Sequence, residues 1–225
     1  MNRLLVSRVL SLGLLVVLVV LALSACGGDE KKAKAHPLPE DPKPLRSGEY
    51  RSEEFKPSLS FRVGKDWSTA PPETTALLHI RWKQKGGIGF LKFQQVYKPT
   101  STGTENLVEA PKDMVGWFQH HPYLQTTTPE PATVGGAKGK RFDISLGHVP
   151  GTYTGVCGLE CVDIGKVGSD IPPLAIHGYE KARVIVLEDM EGETVTIASN
   201  SATSVFHEFT PEAQKVIDSI KWTGS

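Results

Sequence analysis

The sequence predicts an α+β domain, an antiparallel sheet of about six or seven strands packed with two main helices. Three observations carry that expectation. Short runs alternate apolar and polar residues, glycine-bearing turns of hairpin length join those runs, and two segments space their apolar residues as a helix does.

Leu59, Phe61 and Val63 alternate with Ser60 and Arg62, and "GKDW" then turns the chain at Gly64. Leu78, Ile80 and Trp82 alternate with His79 and Arg81. "KGG" at Lys85 to Gly87 reads as the hairpin turn into "IGFLKFQQVY", and "GGIG" at Gly86 to Gly89 as a turn rather than a phosphate loop. The apolar phase slips between Phe90 and Leu91, which calls for a bulge or a strand buried on both faces. Phe142, Ile144 and Leu146 follow the turn "VGGAKG". "RVIVLEDM" from Arg183 has the continuous apolarity of a central strand, and Glu191–Gly192 turns it back into Val195 and Ile197.

"APKDMVGWFQHHP" is expected to start a helix at Pro111 and end it at Pro122, with Gly116 costing on the order of 1 kcal/mol relative to Ala in its interior. "TPEAQKVIDSIKW" is expected to start at Thr210 as N-cap, with Pro211 in the first turn and Ala213, Val216, Ile217 and Ile220 on one face.

Ahead of this domain stand Arg3, Arg8 and an apolar run from Val9 to Leu23, the pattern of a secretory signal. The run ends in Leu23, Ser24, Ala25 and Cys26, and "LSAC" resembles the lipobox of bacterial lipoproteins. That resemblance implies cleavage before Cys26 and a diacylglyceryl group on its sulfur, so residues 1–25 are removed and the protein's first partner is membrane lipid. A lipid contributes roughly 0.8 kcal/mol of membrane affinity per buried CH2, enough with several chains to hold a domain outside the bacterial cell membrane. Residues 26–50, rich in charge and carrying prolines 37, 39, 42 and 44, read as a disordered tether, and residues 51–225 as the single domain.

Without Arg3 and Arg8 the basic count falls from 25 to 23 against 25 acidic residues, a formal charge of −2. No basic excess points to nucleic acid. No catalytic motif emerges either: "VGGAKGKR" lacks the glycine at Val134 and the hydroxyl at Arg141 that a phosphate loop needs, no serine has G-x-S-x-G spacing, and His207–Glu208 has no second histidine a turn later. The expectation is therefore a non-enzymatic protein that binds an envelope protein or a small ligand. An unrecognised cell-envelope hydrolase is the alternative that a convergent nucleophile and base would reveal.

Trp117, His120, His121 and Tyr123 cluster at the end of the middle helix and form a candidate binding edge. Cys157 and Cys161 in "GVCGLECVDIG" are four positions apart. A zinc site needs about four ligands, and a thioredoxin-like site uses C-x-x-C at a helix start. C-x-x-x-C resembles the copper motif of Sco-type chaperones and of the dinuclear centre of cytochrome oxidase subunit II, which makes copper or thiol-redox chemistry the alternative reading. Val162 stands where the Sco motif has proline, and His177 is distant from the second cysteine. With Cys26 taken by lipid, an exported chain leaves an even pair, and a disulfide without cofactor or metal is the expectation.

"LSFRVGKDW" near the domain start, together with the closing strand pair and the "VIDSIKW" helix, resembles the PsbP, Mog and LpqN-like superfamily. The resemblance implies a curved antiparallel sheet between helices and a binding or assembly role.

Overall fold

Alternating apolar runs become strands throughout the computed structural model, which describes residues 35–70, 73–98, 106–153, 155–158 and 160–223, all within the unit Ala35–Ser225. In chain order the strands are β1 (His36–Pro37), β2 (Gly48–Arg51), β3 (Leu59–Val63), β4 (Trp67–Thr69), β5 (Leu77–Trp82), β6 (Gly86–Leu91), β7 (Gln95–Tyr97) and β8 (Leu107–Glu109). Helix α1 (Met114–Gln119) follows, then β9 (Leu124–Thr126), β10 (Glu130–Val134), β11 (Ala137–Leu146), β12 (Cys161–Lys166), β13 (Leu174–His177), β14 (Glu180–Met190) and β15 (Glu193–Ala202). Helix α2 (Phe206–Asp218) and β16 (Lys221–Trp222) close the chain. Among the described residues no helix is long and apolar enough to cross a membrane.

The α+β class holds, but the strand count differs: the described residues hold sixteen strands in three sheets. The additional ones are mostly two to four residues long, too short to show a period of two. The large sheet runs β10-β11-β14-β15-β6-β5-β4, with β9 also paired to β11. A smaller sheet β1-β2-β3-β16 and a third sheet β13-β12-β7-β8 complete the fold.

One face of the large sheet presents Leu78, Ile80, Ile88, Phe90, Ile185, Leu187, Val195 and Ile197 to the main core, which α2 enters with Phe209, Ala213, Val216 and Ile217. Phe209 lies with its ring centroid 6.4 Å from Trp67 and 6.3 Å from Trp82. The other face carries a second core of Phe142, Ile144, Val184 and Val186 against Val162, Ile164 and Ile176 of the third sheet and Met114 and Phe118 of α1. Strand β6 is thus buried on both faces with no register break, which accounts for the phase slip at Phe90–Leu91.

Residues 35–50 do not behave as tether. Leu38 and Leu45 are only 7% and 6% exposed, β1 pairs with β2 in parallel, and the Leu45 N–H donates to the Trp67 carbonyl at 2.8 Å. Two isolated leucines among prolines have no periodicity, yet each finds a place in the main core. Both helices also begin elsewhere than expected. Asp113 caps α1, its carboxylate accepting the Gly116 N–H at 2.7 Å. A Cβ on Gly116 would collide with that carboxylate, so the glycine serves the cap. Helix α2 begins at Phe206, ahead of Thr210, because burial of Phe206 and Phe209 draws the preceding turn into the helix. Thr210 is an interior residue whose hydroxyl donates to the Phe206 carbonyl at 2.7 Å.

Candidate functional site

Cross-strand register on the second face of the large sheet builds a floor of three rows. Arg81, Gly87, Asn200, Ala182 and Ile144 are paired in succession across β5, β6, β15, β14 and β11. The next row is His79, Gly89, Ala198, Val184 and Phe142, and the third begins Leu77, Leu91, Thr196 and Val186. Side chains two apart along a strand share a face, so these rows stand together on one side. At the centre of the floor the residues are Gly89, Ala198 and Ala182, whose small side chains leave a hollow.

The third sheet roofs this hollow with Ile164 and Leu174 to Ile176, aided by Ile171, Pro172 and Pro173. The half-open cavity has a volume of about 340 Å³, within the range of roughly 300–1,000 Å³ typical of small-molecule sites. Its walls are mostly aliphatic, and its polar groups are few. Arg81 is exposed, so that end reaches the surface.

His79 sits in this wall with its pKa lowered to about 4, chiefly by burial and secondarily by the Arg81 charge beside it. A neutral imidazole is the form that can donate and accept together. Glu180 is engaged within the protein: Oε2 accepts the His177 N–H at 3.1 Å and Oε1 the Asn200 side-chain amide at 3.4 Å. Thr196, 1% exposed, lines the opposite end of the cavity, and its Oγ1 has no hydrogen-bond partner among the described residues. A buried hydroxyl left unpaired costs about 1–3 kcal/mol.

The candidate edge read from the sequence lies behind this cavity. Trp117 stacks edge-on against Phe118 and His121, His121 against Tyr123, and Tyr123 against Tyr153, with centroid separations of 5.0–5.9 Å. His121 is buried, and desolvation lowers its pKa to about 4. His120 is exposed, with its Nδ1 against the Gly116 carbonyl at 2.7 Å. Of this helix, Phe118 reaches the cavity wall. Trp117, His121 and Tyr123 therefore meet as an aromatic stack, from which His120 stands apart.

Cys157 and Cys161 stand at disulfide distance, Cα atoms 6.1 Å apart. The carboxylate of Asp163, buried on β12, accepts the Val156 N–H at 2.6 Å and a backbone bond from Cys157. Burial pushes the Asp163 carboxyl above its ordinary pKa, and the backbone donors and the nearby His177 oppose that rise. Sulfur pair and carboxylate together tie the cysteine loop to the edge of the third sheet. Among the described residues no three His, Cys, Asp or Glu side chains converge as a metal site. The lipobox residues Leu23, Ser24, Ala25 and Cys26 lie outside the described residues.

His79, Arg81 and Gly89 belong to the cavity, and Gly87 lies on β6 beneath the His79 ring and not in a turn. The hairpin bends at Lys83 and Gln84, both at positive φ, so that "KGGIG" begins in the turn and continues as β6. The signal available in the sequence was the alternation itself: His79 and Arg81 on one strand face opposite alternate glycines on the next. Such a pairing marks a face that is polar in letters and vacant in volume.

No protein-family model and no curated protein matches this chain. It is similar to the crystal structure of LpqN, described as involved in cell envelope biogenesis of Mycobacterium tuberculosis. The identity is 11% over 82% of this chain and 91% of that one, with a TM-score of 0.39. It is similar also to the solution structure of cyanobacterial PsbP, CyanoP, from Synechocystis, at 10% identity over 80% and 94% of the two chains and a TM-score of 0.39. The weak likeness to the PsbP and LpqN group read from the two ends of the sequence recurs in these structures, and at this level it bears on neither ligand nor partner.

Proposed function

We propose that this chain is an extracytoplasmic, lipid-anchored binding protein that holds a small, largely apolar molecule between its large sheet and its third sheet. The cavity of about 340 Å³ over Gly89 and Ala198 supports this reading most directly. A sheet whose centre lacks side chains loses packing contacts, and aliphatic walls around the gap match an apolar occupant. Mostly aliphatic walls with few polar groups favour binding over hydrolysis. "LSAC" supports anchoring through Cys26.

The unit Ala35–Ser225 contains every described element and all three buried cores, so it can be tested free of membrane. Titrated with the neutral fluorophore N-phenylnaphthylamine, it should show saturable enhancement at one site per chain. A response that stays linear and non-saturating sinks the cavity reading. Anchoring is checked separately: metabolic labelling with an alkyne fatty acid should mark the full-length protein, and Cys26→Ala should abolish the label and release the chain from the membrane fraction.

A further inference from the structure

We propose that the cavity takes an anionic amphiphile, in its simplest form an aliphatic carboxylic acid, with its carboxylate at Arg81 and its chain directed toward Leu77 and Leu91. The proposal rests on reading the cavity as a ligand site and adds the ligand's class and its direction.

The rows of the floor are chemically ordered along the strands. Arg81 and Asn200 stand at the surface end, His79 and Ala198 one row in, and Leu77, Leu91 and Thr196 one row further. Four residues of strand separate Arg81 from Leu77, a run of about 13 Å. The middle of that run is a trough over Gly89 and Ala198, flanked by Val184 and Phe118 and roofed by Ile164 and Ile176. A trough polar at one end and aliphatic along its length suits a molecule built the same way.

Charge fixes which head group belongs at the polar end. Among the described residues Arg81 has no carboxylate partner, whereas the Arg183 guanidinium is held on Asp143 at 2.8 Å and Arg141 pairs with Glu130 at 2.8 Å. A guanidinium offers two parallel donors that match a carboxylate. His79 beside it adds a hydrogen-bonding ring. The single acidic lining residue, Glu180, stands on β14, three strands across the sheet from Arg81 on β5, with its carboxylate held by the Asn200 amide and the His177 N–H. That carboxylate disfavours a head group carrying several negative charges and leaves a singly charged carboxylate as the match.

The test measures displacement of N-phenylnaphthylamine from the Ala35–Ser225 unit by laurate and, separately, by lauryl alcohol, which has the same chain without the charge. Arg81 is exposed, so Arg81→Met leaves the fold intact. The substitution should raise the laurate concentration needed for half displacement about tenfold or more, and shift lauryl alcohol and the probe by less than about twofold. Arg81→Lys should fall between. If the probe binds and Arg81→Met leaves laurate unmoved, the anionic amphiphile is wrong and the apolar cavity stands. If neither chain displaces a probe that binds saturably, the orientation proposed for the ligand is wrong as well. If the probe itself does not bind, the cavity reading falls, and this inference falls with it.

Discussion

The imidazole of His79 on β5 fills the volume that a Cβ on Gly87 of β6 would need. The two strands are paired so that Arg81 lies opposite Gly87 and His79 opposite Gly89, and the ring leans diagonally across. A glycine in mid-strand ordinarily weakens a sheet; here it accommodates a side chain from its neighbour.

Gly87→Ala should accordingly push His79 toward the cavity. Overpacking of this kind costs about 1–3 kcal/mol, and the displaced ring should also weaken probe binding. Urea unfolding and the fluorophore titration read the two effects, and a variant equal to wild type in both would show that the ring has room elsewhere.

Ala198→Leu fills the trough from the floor. Apolar bulk added to an existing void need not strain its walls, and each CH2 buried contributes about 0.8 kcal/mol. The expected outcome is unchanged or raised stability with probe binding lost. Retained affinity would place the ligand site outside the cavity.

Acid should unfold the protein through its buried histidines. His79 and His121 both titrate near 4 in the fold, against an ordinary value of 6.5. Between those values the unfolded chain binds more protons, so stability present above about pH 6.5 is lost as the pH falls toward 4, at most about 3 kcal/mol per histidine. Asp163, whose carboxyl burial raises, works in the opposite direction over its own range. His121→Phe keeps a ring between Trp117 and Tyr123 and should remove about half of the acid loss, measured as the free energy of unfolding at pH 7 and 4.5. An acid slope identical to wild type would mean that His121 is solvated.

The cysteine loop should prove a local staple. Closing five residues contributes roughly 2 kcal/mol on the chain-entropy argument, so Cys157→Ser with Cys161→Ser should lower stability by about that much while leaving probe affinity unchanged. The intact mass of unreduced protein should be two hydrogens below the reduced mass. Free thiols at both positions, or stoichiometric copper, would return the pair to metal or redox chemistry.

Leu78, Ile80 and Trp82, the Gly135–Gly136 and Glu191–Gly192 turns and the face of α2 were legible because each repeats a period or places a positive φ on glycine within a few residues. The fold class follows from such local regularities. Cys157 and Cys161, expected as a pair because an exported chain with Cys26 taken by lipid leaves two cysteines, stand at disulfide distance. Leu38 and Leu45 were not legible, because two apolar residues in a proline-rich stretch acquire meaning only when a core lies beside them.

The sequence by itself determined the antiparallel α+β class, the hairpins and the proximity of the two cysteines, since each depends on neighbours in the chain. Tertiary structure decided that His79 lines a cavity with Arg81 at its open end, and that His121 belongs to an aromatic stack. Those facts depend on what the third sheet lays over the floor. A polar residue on a strand looks the same in the sequence whether solvent or a second layer lies above it, and only packing between layers separates the two.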